Sequence, residues 1–233
     1  MAQEIAGLIR ERSGRAASTV LGLATGRTPV GVYAELARMH AEEGLSFADV
    51  VTFNLDELEG VEADHPASFH GFMRRHLFDR VDVRPENVHL LPGDSGPDGA
   101  EARCTEYERL IAEHGGMDLQ ILGLGLNGHI GFNEPGSQRD SRTRRVELHR
   151  ITRSDYEESF EGSTPPTHGL TIGVATILEA RRIRLLAFGA RKAEIVAGLL
   201  DGKSGPELPA GFLRDHPDVR ILLDEEAAAR WRP

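Results

Sequence analysis

Five short apolar runs punctuate this chain, at residues 19–23, 50–54, 119–122, 183–188 and 219–223. Each is short, continuous and mostly apolar, as strands covered on both faces should be. Between them lie stretches with helical spacing. Residues 29–42 carry Val32, Leu36 and Met39 on one face, and residues 68–78, 99–114 and 192–200 follow the same period. The opening residues MAQEIAGLIRERSGR form a further amphipathic helix. Acidic Glu4 and Glu11 break any basic-then-apolar layout, so it is not a signal peptide. This βαβα rhythm predicts an α/β fold, a parallel sheet with helices on both faces, in a single domain over residues 1–233. The turn-rich segments 92–99 and 162–166 are expected as loops within it.

Polar residues gather where these strands end. The first run leads into Thr25, Gly26, Arg27 and Thr28, and the second into Asp56 and Glu57. The third leads into Asn127, Gly128 and His129, and the fourth into Gly189, Arg191 and Lys192. Open parallel sheets bind ligands outside the carboxyl ends of their strands, so these turns are expected to form one site.

The densest is LGLGLNGHIGFNEP, residues 122–135, which presents Asn127, His129 and Glu134 on a glycine turn. An imidazole can both give and take a proton near neutral pH. Gly128 is a candidate for close backbone approach to a substrate. The spacing Gly123-x-Gly125-x-x-Gly128 matches the dinucleotide fingerprint literally. That fingerprint should open a long helix, and Pro135 follows too soon. No G-x-S-x-G elbow is present, which argues against a serine hydrolase. At residues 24–33, ATGRTPVGVY is a strand–turn–helix joint. Thr28 is expected to cap the helix, Pro29 to take its first position, and the free amides to cradle a phosphate. It lacks GK[ST], so it is no nucleotide P-loop. Asp56 is a candidate base for a proton beside a carbonyl, although judged alone the pair Asp56 and Glu57 reads more readily as helix-capping or solvated acids. Arg191 and Lys192 at a helix start oppose the helix dipole unless an anion sits among them. No histidine or cysteine stands near the acids at metal-ligand spacing, and neither metal nor cofactor is expected.

The formal net charge of −10 disfavours a general nucleic-acid surface. No apolar run approaches the roughly 20 residues of a membrane span. Cys104 is the only cysteine, which excludes a disulfide within the chain and points to a cytoplasmic setting.

In order, ATGRTPVGVY, VVTFNLDE, HPASF, LGLGLNGHIGFNEPGSQRDSRTR, LTIGVATIL, FGARKAE and LPAGFLRDHPDV resemble the glucosamine-6-phosphate deaminase family, whose wider superfamily includes 6-phosphogluconolactonase. The resemblance implies a modified doubly wound, Rossmann-like fold, a homo-oligomer, and a small-molecule sugar phosphate as ligand. It implies conversion of glucosamine 6-phosphate and water to fructose 6-phosphate and ammonia. Asp56 matches the base that moves a proton between C2 and C1. His129 matches the group that opens the sugar ring, Glu134 its supporting carboxylate, and Asn127 a position able to orient His129. Thr25, Gly26, Arg27, Thr28 and Lys192 match the phosphate and sugar contacts.

The chain also departs from that pattern. Arg27 stands where a small residue is usual. The phosphate-gripping arginine expected near position 158 or 159 is replaced by Glu158 and Ser159, with Arg153 as a candidate substitute. Ser137 and Arg144 match the regulated relatives, but Gln138 and Val146 do not, which implies no activation by N-acetylglucosamine 6-phosphate. The family's extra strand before the first helix is not seen, because Met1 opens on that helix. A truncated chain, a misplaced start and a genuinely missing strand all remain open. Open alternatives for the activity are another hexosamine phosphate such as galactosamine 6-phosphate, a lactonase, or a sugar-phosphate-binding regulator without catalysis.

Overall fold

All five apolar runs are strands of one sheet in the computed structural model, which describes residues 1–93, 97–160 and 162–232. In chain order the elements are α1 (Ala2–Ser13), β1 (Thr19–Leu23), α2 (Val30–Glu43), β2 (Val50–Asn54), β3 (Asp56–Leu58), α3 (Phe69–His76) and β4 (Val88–His89). Next come α4 (Ala100–Glu113), β5 (Leu119–Gly123), β6 (Arg144–Glu147), α5 (Arg150–Ser154), β7 (His168–Thr171) and α6 (Val174–Leu178). Then β8 (Ile183–Ala187), α7 (Ala193–Leu200), β9 (Val219–Leu223) and α8 (Glu225–Ala228) complete the order. Of the turn expected at 92–99, residues 94–96 lie outside the described residues.

The main sheet runs β4-β2-β1-β5-β8-β9, and every pairing in it is parallel. The order steps outward from β1 in one direction and from β5 in the other, which is the doubly wound arrangement with its switch point between them. Successive side chains of a strand point to opposite faces, and the core divides accordingly. On one face Leu21, Leu23, Leu119 and Ile121 pack with Ile5 and Ile9 of α1, Leu36 and Met39 of α2, and Met73 of α3. On the other, Val20, Phe53, Leu122 and Leu185 pack with Cys104 and Tyr107 of α4, Ile177 of α6, and Val196 and Leu199 of α7. The expected helices on both faces are present.

Glu4 does more than interrupt an apolar run. It pairs at 2.6 Å with Arg184 of β8, whose side chain is only 1% exposed and also meets Asp218 at 2.9 Å. Removing one partner of so buried an arginine costs about 3–5 kcal/mol, so this pair anchors α1 to the sheet.

Two features differ from the expectations. Asp56 and Glu57 do not sit in a plain loop: β3 belongs to a second, antiparallel sheet of order β3-β7-β6. Its strands are short and β6 reads Arg-Arg-Val-Glu, so no continuous apolar run marked it. Thr28 does not cap α2. Pro29 occupies the N-cap position, and no side-chain cap is formed there. Lys192 stands at the start of α7 as expected, ending a 3₁₀ turn over Ala190–Lys192 and taking the N-cap position of the helix. Among the described residues no helix is long and apolar enough to cross a membrane.

Candidate active site

The carboxyl ends of β1, β2, β5 and β8 open onto one cavity of about 760 Å³, within the range of about 300–1,000 Å³ usual for small-molecule sites. Thr25, Gly26, Arg27 and Thr28 line it from β1, Asp56 from beyond β2, His129 from beyond β5, and Lys192 from beyond β8. Four turns distant in sequence therefore converge, because parallel strands place their carboxyl ends on one edge.

Strand alternation separates the two acids. Asp56 lines the cavity, while Glu57 turns the opposite way, toward the start of α3. Its carboxylate accepts from the backbone amides of Leu58 (2.8 Å), Phe69 (3.1 Å) and His70 (3.0 Å), and from the Ser68 hydroxyl (3.3 Å). Glu57 is thus a capping acid. Asp56 is 7% exposed. Burial, with the adjacent charge of Glu57, pushes its carboxyl up to about 8, because both disfavour the ionised form. Burial also raises Glu57, against the hydrogen bonds it accepts.

Behind His129 stands a polar triad. The Asn127 side-chain oxygen lies 2.8 Å from Nδ1 of His129 and accepts from its backbone amide at 3.2 Å. The Asn127 amide group donates to Oε2 of Glu134 at 2.9 Å. The same Glu134 oxygen is 3.4 Å from Nδ1, and the Thr152 hydroxyl 3.3 Å. A carbonyl oxygen can only accept, so we assign the proton to Nδ1 and the lone pair to Nε2. Burial raises the Glu134 carboxyl, but His129, Thr152 and Asn127 outweigh it and hold it at about 2. Glu134 is therefore an anion throughout the physiological range.

Neither Asn127 nor Glu134 lines the cavity; both act on it through His129. Gly128, expected as a substrate contact, does not line it either. Its carbonyl accepts from Ala210 at 3.0 Å, which ties the loop to the segment 209–215. Gly125 is a glycine that the His129 ring itself requires. A Cβ there would stand 2.3 Å from the His129 ring, so the imidazole lies flat against a bare backbone.

Thr25–Thr28, Arg191 and Lys192 line another part of the cavity. Burial and Arg191 lower the Lys192 ammonium, while Asp155 partly restores it. Arg153, the expected substitute cation, does not line the cavity; its guanidinium donates to the Pro165 carbonyl at 3.4 Å. Glu158 does line it, together with Asp155, Tyr156 and Ser159. Sequence reasoning missed Arg75, Phe69, Tyr156 and Thr152. Only the HPASF segment, which ends on Phe69 at the start of α3, touched any of these. Among the described residues no group of three or more metal-ligating side chains is assembled.

Fold and site together define a doubly wound α/β protein with a carboxylate, an imidazole and several cationic side chains around one cavity. The chain belongs to the family of glucosamine-6-phosphate isomerases and 6-phosphogluconolactonases, which it matches over residues 1–221. It is 46% identical to a glucosamine-6-phosphate deaminase of Bacillus velezensis over 98% of this chain and 94% of the relative. It is 48% identical to one of Rhodopirellula baltica over 97% of this chain and 89% of the relative. The solved structure of a monomeric glucosamine-6-phosphate deaminase superposes with a TM-score of 0.92 at 43% identity, covering 98% of this chain and 93% of that one.

Proposed function

We propose that this protein is an amino-sugar phosphate deaminase that converts glucosamine 6-phosphate and water to fructose 6-phosphate and ammonia. One observation carries the reading: Asp56 and His129 face a single cavity whose other turns hold Thr25–Thr28 and Lys192. The identity of 46–48% to deaminases over nearly the whole chain supports it.

The residues divide the work as follows. The Thr25–Thr28 turn and Lys192 bind the phosphate, and Arg27 adds a cation beside it. His129, with Nδ1 held by Asn127, uses Nε2 to move the proton that opens the sugar ring. Ring opening leaves an aldehyde at C1 and the amine at C2. The Asp56 carboxylate takes the C2 proton and returns it to C1. The amine nitrogen gives a proton to O1, so C1 becomes a primary alcohol and C2 an imine. Water then adds at C2 and ammonia leaves, which gives the ketose. Glu134 stays ionised and stabilises the His129 imidazolium when it forms.

The buried single Cys104 supports a cytoplasmic setting. The expected homo-oligomer rests on the family resemblance, and the similar solved enzyme is monomeric. Sedimentation velocity at several concentrations decides between the two.

Ammonia release from glucosamine 6-phosphate, with Asp56→Asn as control, tests the function. Release by the native chain that disappears in the variant is the expected result. No release from the native chain would transfer the reading to a lactonase or a non-catalytic sugar-phosphate binder.

A further inference from the structure

Arg75 reaches the cavity from α3, and the chemistry above does not use it. Its neighbour Arg74 is paired with Asp79 at 3.1 Å. Arg75 has no carboxylate partner among the described residues. It donates to one backbone carbonyl, that of Pro66, at 3.2 Å. A guanidinium carries five N–H donors in a fixed fork, so most of its capacity is available to a ligand in the cavity.

The position of this cation is fixed relative to the proposed base. Ser68 caps α3 by accepting from the Gly71 amide at 3.3 Å, and Glu57 holds the amides of Phe69 and His70. Glu57 follows Asp56 directly in β3. The segment 156–160 rides on the same support, with Tyr156 against Phe69 at 5.6 Å and Phe160 stacked on His65 at 5.0 Å between ring centroids.

That riding segment brings charge of the wrong sign for a phosphate. Asp155 and Glu158 both line the cavity, and the Glu158 side chain makes no hydrogen bond or ion pair among the described residues. A phosphate dianion entering a cavity lined by two carboxylates needs cations to offset them. Lys192 and Arg191 line the same cavity, and Asp155 already acts on Lys192.

We propose that Arg75 is a substrate-recognition residue, donating a charge-assisted hydrogen bond to the phosphate and offsetting Glu158. The inference rests on the sugar-phosphate reading and adds a further cation to its grip. Charge-assisted bonds from a guanidinium fork are strong and specific for phosphate oxygens.

The test compares Arg75→Gln, Arg75→Lys and Glu158→Gln by steady-state kinetics with glucosamine 6-phosphate and by calorimetric titration with inorganic phosphate. Arg75→Gln is expected to raise KM about ten-fold or more with kcat within about two-fold, and to weaken phosphate binding by a similar factor. Arg75→Lys falls between, because it keeps the charge and loses the fork. Glu158→Gln shifts KM and phosphate affinity in the opposite direction, toward tighter binding. KM and phosphate affinity within about two-fold of the native values in both Arg75 variants overturn the proposal. If the native chain releases no ammonia, the deaminase reading fails, and the phosphate titrations still decide the role of Arg75.

Discussion

Nδ1 of His129 lies 2.8 Å from the side-chain oxygen of Asn127. This contact fixes the tautomer, because an amide oxygen offers no proton. The other end of Asn127 is held at 2.9 Å by Glu134. One amide thus reads a carboxylate and an imidazole at once, and its orientation follows from their opposite hydrogen-bonding needs.

Replacing that amide by an apolar isostere breaks both bonds. Asn127→Leu is expected to lower kcat by about 10²-fold with KM little changed, since the residue acts on proton transfer and touches no substrate. Steady-state kinetics with glucosamine 6-phosphate check this. A rise in KM at unchanged kcat would sink the orienting role.

Asp56→Asn is expected to abolish turnover yet stabilise the fold. The native carboxyl titrates at about 8, above its ordinary value of 3.8. A raised carboxyl contributes stability that is full below about pH 4 and lost as pH climbs through about 8. The neutral amide escapes that loss. A tenfold change in proton affinity between the folded and unfolded chain is worth about 1.4 kcal/mol. The variant therefore gains on the order of a few kcal/mol over the native chain at pH 9. Urea unfolding at pH 4 and pH 9 measures it, and a variant less stable than the native chain at pH 9 contradicts the assignment.

The same titration predicts the pH profile. Asp56 works as a base only when ionised, so kcat/KM should rise with pH through about 8 in the free enzyme. Burial is the main cause of the raised value and the Glu57 charge the second. Glu57→Gln removes only the second, and the rising limb should move to lower pH. A limb that stays in place would mean that another group controls it.

Gly125→Ala places a methyl 2.3 Å from the imidazole ring. The ring must move, and the Nδ1 contact with Asn127 breaks. The expected result is a loss of kcat of about 10²–10⁴-fold, the usual worth of an acid–base group, in a protein whose circular dichroism spectrum is unchanged. Near-native kcat would show that the ring adapts.

A second cavity of about 500 Å³ lies beside Glu134, Ser137 and Arg144. Its arginine is already engaged, donating to Asn133 at 2.8 Å and to Ser137 at 3.1 Å. With Gln138 and Val146 on its walls, no activation by N-acetylglucosamine 6-phosphate is expected. Rates measured with and without that compound test this, and clear activation refutes it.

Much of the scaffold was legible in the sequence. Strands buried on both faces must be continuous apolar runs, and helices packed on them must repeat every three to four residues, so β1, β2, β5, β8 and β9 declared themselves. The cavity-lining turns were legible for the same reason, since they follow those runs directly. The second sheet was not, because β3, β6 and β7 are short and carry polar residues that tertiary pairing alone makes into strands. Gly128 also misled, because flexibility in a sequence does not say which way a carbonyl faces.

The chain's own order thus determined which residues stand at the carboxyl edge of the sheet. Only the tertiary structure decided what each one does there. Adjacent Asp56 and Glu57 are indistinguishable by composition, and the pleat of β3 turns one into the cavity and the other onto α3. Arg74 and Arg75 are likewise neighbours, and the helix turns one to Asp79 and the other to the cavity. Direction in space belongs to the folded backbone, and burial and charge proximity, which set the pKa of Asp56, exist only once that backbone has closed.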